Sequence, residues 1–141
     1  MKTSEIIIQL ESVADPMRKE ASKTMFPTSM EYLGVRNPCM KLHIKRWSGE
    51  LKKLTTEQLI AFAKELVNTK IFECNYVAFE LLWMNKKAFG ILSLNDLEIL
   101  GANMDNWATT DTFSVNLAGW AWRNNQITDA DILSWLNSDN L

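Results

Sequence analysis

The sequence predicts an all-α protein in which antiparallel helix pairs repeat to form a short curved α-solenoid. Three segments of the chain, residues 54–59, 92–97 and 127–132, share one pattern. Each runs from an aliphatic residue to a hydroxyl residue, then through two further positions to an acid or amide and a second aliphatic residue. The hydroxyl residues are Thr55, Ser93 and Thr128, 38 and then 35 residues apart. No stretch alternates apolar and polar residues as a strand would, and no Asn-Gly or Asp-Gly hairpin signal is present.

This pattern is typical of a helix N-terminus. The hydroxyl oxygen can accept a hydrogen bond from the backbone N–H three residues later, and the side chain at that position can accept from the N–H of the hydroxyl residue. The two aliphatic residues occupy the positions that pack together where the chain enters the helix. We therefore expect a helix to begin after Thr55, Ser93 and Thr128.

A second helix precedes each of these three. Asn37-Pro38 opens the first, with proline at the first helical position, where its missing N–H costs little. The second covers about 72–87, and the third runs from Asn106 to about Asn124. The sequence thus predicts a single all-α domain over 1–141, with a leading helix pair in 1–26 (4–14 and 16–24) and repeats at about 37–69, 71–103 and 106–141. Repeats of this size are typical of HEAT-like solenoids, and an ordinary helical bundle fits the same pairs.

The composition is that of a globular protein with a core. The chain has 141 residues, of which 47% are hydrophobic and 23% charged. No apolar run approaches the roughly 18 residues of a membrane-spanning helix, and the short run 6–8 is too brief for a signal peptide. We expect a cytoplasmic protein without a membrane partner.

The cysteines and histidine are too few for a disulfide framework or a metal site. The chain contains Cys39, Cys74 and His43 and no others of either type. We expect packed, reduced thiols, no metal and no cofactor. Cys39 precedes His43 by four residues on a predicted helix, which leaves a Cys-His enzyme open as an alternative. No nucleophile turn accompanies that pair.

Charge is distributed unevenly along the chain. The net charge is −2 and the pI is about 5.4, which argues mildly against a nucleic-acid partner. Residues 36–53 nevertheless hold six basic residues and one acid, whereas 92–141 hold seven acids and one base. The basic segment is typical of phosphate binding or of a solvated helix face. Its basic residues are Arg36, Lys41, Lys45, Arg46, Lys52 and Lys53.

The third repeat opens with an aromatic residue and a carboxylate four positions apart. Asn106 can cap the helix, and residues i and i+4 lie on one face, so Trp107 and Asp111 would present a π surface beside a negative charge. Such a pair suits a planar cationic ligand. The alternative is a cap with a buried Trp107 and an Asp111 bound to an arginine or a backbone donor.

Helical periodicity separates this pair from the packing side of the same helix. The expected packing side carries Phe113, Leu117 and Trp120, and the other side carries Trp107, Asp111 and Trp122.

Residues 106–111, Asn-Trp-Ala-Thr-Thr-Asp, resemble the Asn-Trp-x-x-x-Asp signature of the AlkD-like DNA alkylation repair glycosylases. Residues 32–38, Tyr-Leu-Gly-Val-Arg-Asn-Pro, are similar to that family's aromatic-x-Gly-Val/Ile-x-x-Pro segment. Residues 138–141, Ser-Asp-Asn-Leu, resemble the start of its Ser-x-Asn/Asp-x-Trp-x-Arg-Arg segment. The resemblance covers about 26–141.

The resemblance implies an all-helical protein of HEAT-like repeats that removes cationic alkylated purines, such as 3-methyladenine and 7-methylguanine, from double-stranded DNA. Asp111 corresponds to the catalytic carboxylate, and Trp107 to an aromatic residue lining the DNA-facing cleft. A carboxylate at this place stabilises the positive charge that builds on the sugar as the glycosidic bond breaks. No metal or organic cofactor is implied. The candidate DNA contacts are Trp107, Arg36, Lys41, Lys45 and Arg46.

In the family a tryptophan and paired arginines would come after Leu141, so we expect either a truncated form of a longer protein or a short homologue without the activity. A non-catalytic HEAT-like scaffold that binds a protein or DNA along its concave face is the alternative function.

The last predicted helix leaves an apolar end. We expect this end to be buried by self-association, as a homodimer. The apolar residues concerned are Ile132, Leu133, Trp135 and Leu136.

Overall fold

A computed structural model describes residues 1–137, and this part of the chain is all-α, as predicted. Its helices are α1 (Thr3–Glu11), α2 (Pro16–Met25), α3 (Asn37–Glu50), α4 (Thr56–Asn68), α5 (Phe72–Met84), α6 (Lys86–Gly90), α7 (Leu94–Leu100), α8 (Trp107–Phe113), α9 (Gly119–Arg123) and α10 (Asp129–Trp135). A 3₁₀ turn, Leu51–Lys53, follows α3, and a π-helical segment, Ser114–Ala118, joins α8 to α9. Within residues 1–137 there is no strand, only an isolated parallel bridge between Glu31 and Ile71.

The three predicted helix starts are confirmed. Thr55 caps α4, and its Oγ1 accepts from the Gln58 N–H at 3.2 Å while its own N–H donates to Gln58 Oε1 at 2.9 Å. Ser93 forms the same reciprocal pair at the start of α7, and Thr128 does so at the start of α10. Each start is therefore fixed by local hydrogen bonds that the sequence pattern encodes.

The helices pack in two connected rows, one formed by α3, α5 and α8 and the other by α4 and α7. Helix α5 lies between α3 and α8 and packs across on α4, which in turn packs on α7. This arrangement of helix pairs is consistent with a helical repeat solenoid. Burying a large apolar side chain contributes roughly 1.5–3 kcal/mol, so this core supplies most of the stability. Its fully buried residues include Trp47, Leu66, Phe79, Leu82, Leu97 and Leu117.

One predicted helix bound is wrong. The helix expected over 72–87 breaks at Asn85, which is extended (φ −107°, ψ 90°) and caps α6 by accepting from the Ala88 N–H at 3.0 Å. The short polar side chain of asparagine competes with the helical backbone, which explains the break. Helix α3 begins at Asn37-Pro38, as predicted, but its cap residue is Arg36, so Pro38 is the second helical residue rather than the first.

The π-helical segment corrects a third expectation. The N–H of Gly119 donates to the carbonyl of Ser114, five residues earlier, and this wider turn rotates α9 relative to α8. Trp120 is consequently 38% exposed rather than buried, and its ring lies at the edge of the core, 5.6 Å from the ring of Trp83. A Cβ at Gly119 would lie 2.8 Å from the Ser114 carbonyl oxygen, so glycine suits this close approach. The buried face is formed by Phe113, Leu117 and Ala121.

Helix α10 is loosely covered. Trp135 packs partly against the core and its Nε1 donates to Glu98 at 3.3 Å, whereas Leu133 and Leu136 are 60% and 70% exposed. A cavity of about 390 Å³ remains between α7, α8 and α10. The segment 138–141, which carries one of the three family resemblances, lies outside the described residues.

Candidate functional site

The start of α8 presents Trp107 and Asp111 to solvent. Asn106 caps the helix as predicted, its Oδ1 accepting from the Thr109 N–H at 3.0 Å. Trp107 is the first helical residue and is 59% exposed, and Asp111 is exposed one turn later. The alternative of a buried tryptophan is therefore wrong.

Asp111 differs from the other carboxylates of this acidic half of the chain. Between residues 92 and 137 the other carboxylates all accept hydrogen bonds: Asp96, Glu98, Asp105, Asp129 and Asp131. Within the described residues, no hydrogen bond or ion pair engages the carboxylate of Asp111. Asp111 is therefore available to a ligand. The alternative interpretation, in which Asp111 binds an arginine or a backbone donor, is not supported within residues 1–137.

The indole of Trp107 is held in place by a hydrogen bond and by a ring contact. Its Nε1 donates to the Met25 carbonyl oxygen at 3.2 Å, and its ring lies 4.9 Å from the ring of Phe26, centroid to centroid. Phe26 stacks on Phe72 at 5.9 Å, and Phe72 contacts Tyr32 at 4.6 Å. This aromatic cluster of Phe26, Tyr32, Phe72 and Trp107 fixes the indole while leaving more than half of its surface open.

Asp105 ties the loop between α2 and α3 to the start of α8. Its carboxylate accepts from the Ser29 N–H at 2.7 Å, from Ser29 Oγ at 2.6 Å and from the Thr28 hydroxyl. Partial burial alone would raise the pKa of Asp105, but these hydrogen bonds outweigh it and lower the pKa to about 2. Sequence reasoning missed Phe26 and Asp105. The available signal was a carboxylate directly before the cap residue Asn106.

The depressed pKa of Asp105 predicts a loss of stability in acid. Because the folded pKa of about 2 lies below the ordinary value of 3.8, the carboxylate stabilises the fold above pH 3.8 and loses that contribution as the pH falls toward 2. Urea unfolding of wild type and Asp105→Asn at pH 7 and pH 2.5 checks this. We expect the stability difference between the two proteins to be larger at pH 7. An equal difference at both pH values would contradict the assignment.

The residues 32–38 that resemble a family motif are held by a buried carboxylate. Glu73, on α5 and 3% exposed, accepts from the N–H groups of Leu33 at 3.0 Å, Gly34 at 2.8 Å and Val35 at 3.2 Å. Gly34 has φ +91°, and a Cβ there would lie 2.7 Å from the carbonyl oxygen of Asp15. The glycine of this motif is thus explained by backbone geometry, since glycine alone tolerates this conformation in so little space.

The basic candidates divide into two kinds. Arg36 donates from Nε and Nη2 to Asp15 Oδ2, at 3.0 and 2.7 Å, and this contact lowers the pKa of Asp15. Arg46 donates to Gln9 and lies 2.9 Å from His43 Nδ1. Lys41 and Lys45 are exposed and join no ion pair within residues 1–137. Arg36 directly precedes α3 and the other three lie on it, and within residues 1–137 no hydrogen bond or ion pair joins any of the four to Asp111.

The geometry gives no support for a Cys-His enzyme. His43 stacks on Trp47 at 5.2 Å, and its pKa is lowered by burial and by the charge of Arg46. No hydrogen bond joins Cys39 to His43 within the described part of the chain. Burial raises the pKa of the Cys74 thiol to about 12, which leaves it unreactive.

Residues 1–137 also lack two other features. No group of three or more His, Cys, Asp or Glu side chains there could hold a metal ion. None of the helices described is both long enough and apolar enough to cross a membrane.

Comparison with known proteins supplies the family. No curated protein and no solved structure matched the chain. The model of one protein family, described as DNA alkylation repair enzyme, matches residues 6–141, which include Glu73, Trp107 and Asp111. The chain therefore belongs to the DNA alkylation repair enzyme family.

Proposed function

We propose that this chain carries the site of a DNA glycosylase that excises cationic alkylated purines, such as 3-methyladenine and 7-methylguanine, from duplex DNA. In this proposal Asp111 is the catalytic carboxylate and Trp107 contacts the lesion or its sugar. Family membership supports a role in DNA alkylation repair, and the geometry around α8 supports this particular chemistry.

The observation that carries the proposal is the unengaged, exposed carboxylate of Asp111 one turn from an exposed indole. An alkylated purine bears a positive charge and is already a good leaving group, so little acid catalysis is required. As the glycosidic bond breaks, positive charge develops on the sugar, and a fixed carboxylate stabilises it and can orient the attacking water. A carboxylate already bound to an arginine or a backbone amide would be less able to do this.

The fixed orientation of Trp107 supports a contact with a cation. Its Nε1 is already used by the Met25 carbonyl oxygen, so the ring face, rather than its N–H, is what the indole offers a ligand. A cation over an indole face contributes about 0.5–2 kcal/mol. Because the aromatic cluster holds the ring before any ligand binds, little side-chain entropy is lost on binding.

A release assay with two lesions tests the proposal. One duplex carries 7-methylguanine, which is cationic, and a second carries the neutral base 8-oxoguanine in the same sequence. We expect the protein to release 7-methylguanine above the spontaneous rate and to leave 8-oxoguanine in place, as measured by chromatography of the free bases. Absence of release from both duplexes would refute the glycosylase proposal.

One observation favours a second candidate, a non-catalytic scaffold. Two of the four predicted basic contacts, Arg36 and Arg46, are already engaged within the protein, which reduces the charge that α3 offers to phosphates. In the same assay, a scaffold would bind a partner or the duplex without releasing either base.

We further propose that the chain self-associates through α10. Leu133 on this helix and Leu136 directly after it are exposed, and burying them against a second copy would remove apolar surface from water. We expect sedimentation velocity to show a concentration-dependent dimer for the wild type and a monomer for the double variant Leu133→Ser and Leu136→Ser. The matched control replaces exposed Ile8 on α1 and Leu42 on α3 with serine. A monomeric wild type at high concentration would contradict the proposal.

A further inference from the structure

A second surface, remote from Trp107 and Asp111, gathers four lysines around one depression. Lys45 on α3 and Lys52 in the following 3₁₀ turn form one side, and Lys86 and Lys87 at the start of α6 form the other. We call this depression, of about 680 Å³, the lysine groove. The sequence indicated Lys45 and Lys52 as part of one basic run, but only the fold adds the two lysines of α6.

The lining of the lysine groove contains no acid. Besides the four lysines it consists of neutral residues, and Leu51, Leu59 and Leu81 among them are 2–3% exposed and form an apolar floor. None of the four lysines joins an ion pair within residues 1–137. Four unneutralised ammonium groups around one depression repel one another, and a polyanion would relieve that repulsion.

We propose that the lysine groove binds the phosphodiester backbone of a DNA duplex at a distance from the base held by α8. Helix α5 links the two places: Phe72 at its start belongs to the aromatic cluster, and Leu81 and Met84 near its end line the groove. At 1.5 Å per residue this helix is about 18 Å long. At 3.4 Å per nucleotide along one strand, that length corresponds to about five base pairs. In this proposal the duplex runs along α5, and the groove holds phosphates about five base pairs from the lesion.

Lysine suits this role because its ammonium acts as a point charge toward phosphate oxygens without reading a base. The groove should accordingly contribute affinity without sequence preference, and that affinity should fall as salt rises. This inference relies on the proposed function only in choosing DNA as the polyanion, and its test needs no base release.

The test is a salt titration of binding to a fluorescent, undamaged 20-base-pair duplex, read by anisotropy. The groove variant carries Lys52→Gln, Lys86→Gln and Lys87→Gln. The matched control, with the same net charge, carries Lys2→Gln, Lys23→Gln and Lys70→Gln at exposed lysines outside the groove. The slope of log K against log salt is negative, and each lost phosphate contact reduces its magnitude by about 0.9. We therefore expect the slope of the groove variant to be less steep than that of the wild type by about 2–3. The control should keep the wild-type slope.

Two results of this titration would overturn the proposal: no binding of the wild-type protein to the duplex, or equal slopes for the groove variant and the control. A third would come from a competition experiment, in which poly-glutamate displaces the labelled duplex as effectively as unlabelled DNA of equal total charge. The last result would assign the groove to an acidic protein. A change of slope in the groove variant supports the groove even if 7-methylguanine is never released. Conversely, release with an unchanged slope would refute the groove and leave the glycosylase proposal standing.

Discussion

Replacing Asp111 with asparagine is expected to reduce 7-methylguanine release by about 10²–10³-fold, the usual cost of removing one group that stabilises charge in a transition state. Asparagine keeps the size of the side chain and removes its negative charge. Because Asp111 is exposed and its carboxylate makes no hydrogen bond or ion pair within residues 1–137, this change should leave folding intact. Circular dichroism and the urea midpoint of the variant should therefore match the wild type, while single-turnover base release falls.

A matched control separates this charge from the general acidity of the region. Asp129→Asn removes a carboxylate whose Oδ1 accepts from Trp122 Nε1 at 2.7 Å, and it produces the same change of net charge. We expect this control to release base at nearly the wild-type rate. If Asp111→Asn releases base as fast as wild type, Asp111 is not the catalytic carboxylate.

The second large effect is expected for Glu73→Ala, which should lower the free energy of unfolding by about 3–5 kcal/mol. The change removes one buried acceptor and leaves the N–H groups of Leu33, Gly34 and Val35 without their partner. Hydrogen bonds to a charged group contribute about 1.5–3 kcal/mol each, although losses within one cluster do not add fully. For a chain of this size the melting temperature should fall by roughly 10–17 °C.

Two further variants calibrate that result. Glu73→Gln keeps one acceptor oxygen but turns the other into a donor, so its loss of stability should be intermediate. Glu11→Ala removes a carboxylate from the exposed end of α1 and should change stability by less than about 0.5 kcal/mol. A Glu73→Ala protein within about 1 kcal/mol of wild type in urea unfolding would show that the loop does not depend on this carboxylate.

Structural features that depend on residues only a few positions apart were predicted well. The helix starts at Thr55, Ser93 and Thr128 were found because a capping box needs only residues three positions apart. The cap at Asn106, which sets the start of α8, was found for the same reason. The break at Asn85 was missed because the apolar positions that indicated this helix, Val77 to Met84, all lie before it, and a single capping residue gave no comparable signal.

The surroundings of the candidate site could not be predicted in this way. The π-helical segment after Phe113 depends on a hydrogen bond from Gly119 to Ser114, and helical periodicity does not anticipate one extra residue in a turn. Phe26 and Trp107 are distant in the chain, and so are Ser29 and Asp105. Contacts of this separation are set by how whole helices pack, and no local pattern reports them.

By itself, then, the sequence determined the all-α class, the capped helix starts and the placing of Trp107 and Asp111 one turn apart, since each depends on interactions within a few residues. The tertiary structure decided which charges are free. It joined Arg36 to Asp15 and buried Glu73 under the 33–35 loop, and it left Asp111 unengaged within residues 1–137. The physical reason is that ion pairs and hydrogen bonds depend on distance in the folded structure, so the partner of a charged group can lie anywhere in the chain.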